Sequence, residues 1–259
     1  MTLWWTKELN LRLKSHRYLR LELTISLLLT LIVVIFWPDT NFNLKTFSIP
    51  NLSLFMFTFQ SIVLFYLSSL IASGNLPTER EYKIIDLAKY APISIWDLVV
   101  GRFLNVFFYI LFLLLLLLPL NILVNFSSMP FELRLTYFYP LVLLDSTIFI
   151  SLGILWSTIN NSTLNWSAHW ISFLIFLFLP FMFPTLSPYL PLNNILWSCM
   201  AQRLITLDVR FTTSHLATII IVYPLISFIL LIVSGRRLKY WRKNNENISR
   251  DSRVTKESS

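Results

Sequence analysis

Glycine is scarce in this chain, which has only four among 259 residues: Gly74, Gly101, Gly153 and Gly235. A phosphate-binding loop of the ATPase type needs two glycines five positions apart, followed by Lys and then by Ser or Thr. None of the four glycines meets that spacing. We therefore expect that the chain does not hydrolyse ATP, and we predict neither enzymatic activity nor a cofactor.

Cysteine and histidine are equally rare. The single cysteine, Cys199, excludes an internal disulfide. The three histidines, His16, His169 and His215, lie far apart and do not form a metal-ligand motif. The sequence therefore predicts no metal site.

Charged residues make up only 13% of the chain, against roughly a quarter in soluble domains. Hydrophobic residues make up 56% and aromatic residues 16%. The net charge of +8 is compatible with nucleic-acid binding, but the basic residues concentrate at the two ends and at one internal segment, where they flank apolar runs. That distribution is typical of charges that set orientation in a lipid bilayer, so we expect a bilayer and no nucleic acid as partner.

Long apolar runs are what the sequence has in abundance. About twenty apolar residues form a helix long enough to cross a hydrocarbon core of roughly 30 Å. No alternating strand pattern is present, and backbone groups in lipid must be bonded within the segment, so these runs are expected to be helices. We predict an all-α polytopic membrane protein with six transmembrane helices, and Pro119 is expected to kink the third rather than end it. The predicted spans are 21–37, 51–73, 98–124, 137–158, 166–187 and 213–234.

Lysine and arginine are distributed unequally about these spans. Seventeen of the 21 lie before the first span, around the loop after the second, or in the C-terminal tail. By the positive-inside rule both termini are cytoplasmic, which requires an even number of spans. We expect a multi-pass protein of the bacterial cytoplasmic (inner) membrane.

The two terminal segments are predicted to lie outside the spans. In residues 1–20, Trp5, Leu9 and Leu13 recur four positions apart, which favours an amphipathic helix in the headgroup layer; a plain basic flank of span one is the alternative. A cleaved signal peptide is not expected, because the first apolar run follows a basic stretch. Residues 241–259 are polar and charged, and we predict disorder there.

Residues 21–240 form the predicted six-span domain. Between spans five and six, residues 194–201 are moderately apolar but too short to cross a bilayer. They are expected to form a re-entrant or interfacial helix, with a surface loop as the alternative.

A charged segment interrupts the apolar sequence between spans two and three. Thr78 and Glu81 have the spacing of a capping box, in which each side chain bonds a backbone N–H of the other residue. Pro77 and Pro92 bound the segment. These features predict a separate short helix over 78–91.

A second capped start follows at once. Ser94 and Asp97 repeat the cap spacing, and Gly101 and Arg102 fall in the first turns of span three. Together the two starts predict a helix–break–helix elbow at the cytoplasmic surface.

In this order of features the chain resembles the permease subunits of type-2 ATP-binding-cassette exporters. That family has a charged cluster after span two, a short helix, an Ala/Ser-Pro-Ile/Leu-Ser segment, an acidic residue, and Gly-Lys at the start of span three. The start of the chain, Lys7-Glu8-Leu9, also resembles the family's N-terminal helix, so the resemblance covers about residues 5–240. The internal matches are Glu79-Arg80-Glu81, Ile84 to Leu87, Ala91-Pro92-Ile93-Ser94, Asp97 and Gly101-Arg102.

The resemblance implies a coupling helix that docks into a separate cytoplasmic ATPase subunit. It also implies pairing with a second permease, identical or different, and a rigid-body switch driven by the ATPase. The implied ATPase-coupling residues are Glu79, Arg80, Glu81, Tyr82, Ile85 and Asp86. The implied elbow residues are Pro92, Ser94, Asp97, Gly101 and Arg102.

One further residue stands out, Asp145 in the middle of span four. An acidic residue inside a span is costly unless it is paired or faces water. Asp145 is expected either to line a translocation path or to bond a neighbouring helix, and the sequence leaves both open.

Two other functions are compatible with the composition. A secondary transporter or membrane assembly factor needs no ATPase partner, but a secondary transporter often has broken spans in matching halves, and no such symmetry is evident. An integral-membrane lipid enzyme would need convergent polar residues within the spans, and no such motif appears.

Overall fold

The structure, a computed structural model, describes residues 16–35, 50–81, 94–126, 131–158, 170–176, 178–179, 189, 191 and 213–257. Within these ranges the regular structure is helical throughout, with six helices and no strand. The predicted all-α class is therefore confirmed. The helices are α1 His16–Ile35, α2 Pro50–Glu81, α3 Ile95–Phe126, α4 Phe131–Ser157, α5 over 170–176 and α6 Thr213–Glu257.

Four helices are long and apolar enough to cross a membrane. These stretches are Met56–Ser73, Ile95–Val124, Phe138–Ser157 and Ala217–Tyr240. They coincide with predicted spans two, three, four and six, so the membrane-like character of the chain is confirmed.

The two remaining predicted spans are covered less completely. In α1 the apolar stretch Glu22–Val34 is shorter than the other four. Of predicted span five, 170–176 and 178–179 are described, and both are helical. The six-span count therefore stays a prediction.

Helices α2 and α4 pack side by side over most of their length. Phe57 stacks on Phe138 with ring centroids 4.4 Å apart, and eight residues further on Phe65 stacks on Phe149 at 4.9 Å. Because the contacts advance along both chains together, α2 and α4 run in the same direction. Helices α3 and α6 complete the bundle against α4.

Helices α2 and α4 approach each other closely at Gly153. A Cβ at this position would lie 2.5 Å from the backbone oxygen of Ser69 and 2.7 Å from the Cβ of Ala72. Small residues allow helix backbones to approach in this way, and the resulting dispersion contacts hold helices together in lipid. Glycine is therefore required here by close packing.

The sequence predicts a helix start at Thr78, and in the structure α2 continues without a break through Pro77 to Glu81. Membrane helices tolerate proline, since only the hydrogen bond to the carbonyl four residues earlier is lost. The chain has other prolines inside helices: Pro119, Pro140 and Pro224. As predicted, α3 does not end at Pro119. Residues 82–93 lie outside the described part of the chain, so the rest of the predicted coupling helix is untested.

The C-terminal tail, for which the sequence predicts disorder, is described as far as Glu257. Helix α6 continues past the apolar stretch to Glu257. Extending an existing helix avoids the unfavourable nucleation step.

Two predicted elements fall mainly outside the described residues. Of the N-terminal segment, 16–20 are described, and they form the first turns of α1. Residues 194–201, predicted to be re-entrant or interfacial, are not among the described residues.

We expect Gly153→Ala to destabilise the bundle by about 1–3 kcal/mol, because the added methyl group overpacks the α2–α4 contact. The measurement is the fraction of detergent-solubilised protein that remains monodisperse on gel filtration after heating. The matched control is Gly235→Ala. There a Cβ would lie 3.1 Å from the ring of Trp96, which is 44% exposed and free to move. Equal loss of stability in both variants would contradict the packing role of Gly153.

Candidate functional site

Ser94 caps α3 as the sequence predicts. Its hydroxyl accepts a hydrogen bond from the backbone N–H of Trp96 at 3.3 Å, and its carbonyl accepts from the N–H of Leu98 at 3.2 Å. The first bond satisfies one of the backbone donors that every helix start leaves without an intrahelical partner, and the second is the first intrahelical bond of α3. Asp97 lies in the first turn, where a carboxylate is favoured by the helix dipole.

Gly101 and Arg102 follow in the second turn of α3, and both are buried. Only 5% of Arg102 is exposed, and it interacts with another group of the protein. The sequence places Arg102 in the first turns of span three, and in the structure its side chain packs inside the bundle. The N-terminal turns of α3 are thus anchored to the helices around them.

Asp145 is completely buried in α4 and also makes a polar or electrostatic interaction within the protein. A carboxylate at this depth needs such a partner, because lipid and packed side chains solvate charge poorly. Its burial fits the predicted alternative of a bond between helices. A role in a translocation path stays a prediction.

Two residues with hydroxyl groups follow Asp145 in α4. Ser146 donates to the carbonyl of Val142 at 2.6 Å, within the same helix. Ser227 of α6 donates to the hydroxyl of Thr147 at 3.0 Å, which joins two helices. The bond of Ser146 satisfies its hydroxyl within one helix. The bond between Ser227 and Thr147 instead fixes the contact between α4 and α6.

Three buried amides in the spans escaped the sequence analysis. Asn121 of α3 donates its side-chain N–H to the hydroxyl of Tyr139 in α4 at 3.0 Å. Gln60 and Asn105 are at most 1% exposed, and their amide atoms have no hydrogen-bond partner among the described residues. Buried amides are normally bonded, since leaving one unpaired costs about 1–3 kcal/mol. A search for every polar residue inside the apolar runs, rather than for charges alone, would have found them.

The buried polar residues lie at similar depths in the bundle. Counting from the ends of the apolar stretches at Ser73, Ile95 and Ser157, the rise of an α-helix puts Gln60, Asn105 and Asp145 about 15 to 20 Å in. That is close to the middle of a hydrocarbon core of roughly 30 Å. The interior therefore contains a polar layer at mid-depth.

The predicted coupling residues are only partly described. Glu79, Arg80 and Glu81 form the end of α2, beyond its apolar stretch. Tyr82, Ile85, Asp86 and Pro92 lie outside the described ranges. The structure therefore does not test whether the coupling residues lie near Asp145 or the elbow.

Among the described residues, no group of three His, Cys, Asp or Glu side chains could hold a metal ion. Comparison of the sequence with protein-family models and with curated proteins gives no match. The candidate functional residues therefore lie in three places: the capped start of α3, the charged end of α2 and the polar layer of the bundle.

Replacing Asp145 with Leu should destabilise the protein by about 1–3 kcal/mol, because the partner of the carboxylate is left buried and unpaired. Asp145→Asn should cost less, since an amide retains hydrogen-bonding capacity. Thermal unfolding of the solubilised protein, followed by circular dichroism, measures the difference. Ser146→Ala is the adjacent control, and it removes only a bond within α4. A loss for Asp145→Leu no larger than for Ser146→Ala would refute the pairing argument.

Gln60→Leu and Asn121→Leu should act in opposite directions. The first replaces an amide that has no described partner, so stability should rise or stay constant. The second breaks the bond to Tyr139 and should lower stability by about 1 kcal/mol. The same thermal unfolding assay compares them. Marked destabilisation by Gln60→Leu would show that the buried amide has a partner that the argument omits.

Proposed function

We propose that this chain is the membrane-spanning permease subunit of an ATP-driven exporter of the type-2 ATP-binding-cassette class. It pairs with a second permease, and the ATPase is a separate cytoplasmic subunit. The observation that carries the proposal is the order of features from Glu79 to Arg102, which runs from a charged cluster through an Ala-Pro-Ile-Ser segment to a capped apolar helix.

The geometry at the two ends of this segment supports the proposal. Glu79 to Glu81 lie six to eight residues past Ser73, where the apolar stretch of α2 ends. At the helical rise this is about 9 to 12 Å beyond the apolar stretch, far enough to carry charges clear of the hydrocarbon. The chain returns to the bundle at Ser94, where α3 begins. The charged segment is therefore available to a soluble partner.

The packing of α3 supports a route for coupling. A force applied to residues 82–93 acts on the ends of α2 and α3. Because Gly101 and Arg102 are buried within two turns of Ser94, α3 cannot shift without moving the helices around it. Packed helices respond to such a force by moving as rigid bodies.

In the proposed topology six spans cross the inner membrane and both termini are cytoplasmic. The proposal includes spans one and five and a re-entrant or interfacial segment before the last span. Its support is the positive-inside pattern together with the four apolar helices. The polar layer that contains Asp145 is then available to line part of a path or to fix the register of the helices.

The proposal predicts that purification of the full chain from native membranes recovers an ATPase with a phosphate-binding loop. Joint replacement of Glu79, Glu81 and Ile85 with Ala should then reduce transport-coupled ATPase activity at least tenfold, because the contact with the ATPase is lost. ATP hydrolysis by the reconstituted complex is the measurement, and thermal unfolding checks that the bundle remains intact.

The matched control replaces Glu246, Ile248 and Asp251, two acids and one isoleucine in the extension of α6, with Ala. That variant should retain the activity of the unmodified complex. Recovery of the chain without any ATPase would refute the proposal. Equal loss in the two triple variants would refute the role of the charged segment.

A further inference from the structure

Helices α1, α2 and α5 line an open apolar cleft of about 520 Å³. Its wall includes Ile25 from α1, Ile62 and Val63 from α2, and Phe173 from α5. The volume is within the range of about 300–1,000 Å³ found for small-molecule sites. The lining is almost wholly apolar, so a polar solute would lose its hydration there without compensation.

Aromatic rings form one side of the cleft. Tyr66 lies against Trp170 with ring centroids 5.1 Å apart and against Phe173 at 5.8 Å, in an edge-to-face arrangement. Such aromatic pairs add stability beyond the area that they bury. Trp170 is also 47% exposed, so the same ring borders the surrounding lipid. The cleft therefore has one side formed by packed aromatic rings and one side that faces the bilayer.

The cleft lies in the half of the bundle nearest the basic end of α1. Tyr66 is seven residues before Ser73, which places it about 10 Å from the end of the apolar stretch of α2. Trp156 near the end of α4 donates to the hydroxyl of Ser172 in α5 at 2.9 Å, so α5 begins at this same end. A ligand would reach the cleft from one leaflet.

Arg20 of α1 lies one helical turn before the lining of the cleft. Arg20 is exposed, and its backbone carbonyl accepts a hydrogen bond from the hydroxyl of Thr24, a lining residue, at 2.7 Å. The two residues are thus one helical turn, about 6 Å, apart. Arg20 forms no ion pair with an acidic residue of the described ranges.

We propose that this cleft binds an anionic phospholipid, with one acyl chain between α1, α2 and α5 and the phosphate group at Arg20. The apolar lining suits a hydrocarbon chain, the exposed rim opens to the leaflet, and the guanidinium supplies the charge that an anionic headgroup needs. The proposal requires only that the chain lies in a bilayer and does not depend on the ATPase partner.

The first experiment fills the cleft. The full chain is purified from nanodiscs that contain equal amounts of phosphatidylglycerol and phosphatidylcholine, and native mass spectrometry counts the retained lipid. The unmodified chain should retain one phosphatidylglycerol, and Val63→Trp should lose it. The matched control is Ile221→Trp, at a position of α6 that is 67% exposed, and it should retain the lipid.

The second experiment removes the charge. Arg20→Gln should lower the preference for phosphatidylglycerol over phosphatidylcholine about fivefold, since one basic residue near a membrane surface contributes about that factor. A lipid should still be retained, because the cleft is unchanged. Arg236→Gln, an exposed arginine of α6, should leave the preference unaltered.

The third experiment needs no variant and so does not depend on folding of the substituted chains. A phosphatidylglycerol with a photoreactive acyl chain should label the unmodified protein between Ile62 and Leu67 or between Trp170 and Phe173. Absence of label there overturns the proposal, as does equal lipid retention by Val63→Trp. A separate outcome would also overturn it. If α1 or α5 cross-links to a second copy of the chain, and Val63→Trp abolishes that cross-link, then another protomer fills the cleft.

Discussion

The close approach of α2 and α4 at Gly153 determines how the rest of the bundle is arranged. Without a side chain at that position, the two backbones meet, and the aromatic pairs Phe57–Phe138 and Phe65–Phe149 stack above the contact. In a bilayer, packing of this kind has to supply most of the attraction between helices, because lipid is as apolar as the side chains it would replace. The fixed register then sets where Asp145 and its neighbouring hydroxyl groups lie relative to α3 and α6.

Much of the fold could be predicted from the sequence, because length and hydropathy are strong constraints in a membrane. The apolar runs around Met56–Ser73 and Ile95–Val124 are helices for the reason given by the sequence, namely that each must satisfy its own backbone. The cap at Ser94 was equally predictable, since its chemistry is local. The cap predicted at Thr78 is a local signal of the same kind, but α2 runs through that position without a break. A proline is a reliable sign of a helix end in a soluble protein, but a long helix that is already formed often continues through it.

The candidate site was predicted less well, because burial is a tertiary property. Arg102 and Asp145 are adjacent to apolar residues in sequence, and only the packed bundle shows that neither charge reaches the surface. The unpaired amides of Gln60 and Asn105 carry no pattern in the sequence, since their significance depends on what faces them. The cleft beside Tyr66 is assembled from three helices that are distant in the chain, so no linear motif encodes it.

The C-terminal extension of α6 has a mechanical consequence. A coil of the length of 241–257 would have a mean end-to-end distance of about 20–25 Å with every direction available. The helix spans about 25 Å and continues the last apolar stretch. Any group at Glu257 is therefore held at a set distance and direction from the end of that stretch. A flexible coil of the same reach would leave the direction of that group undefined.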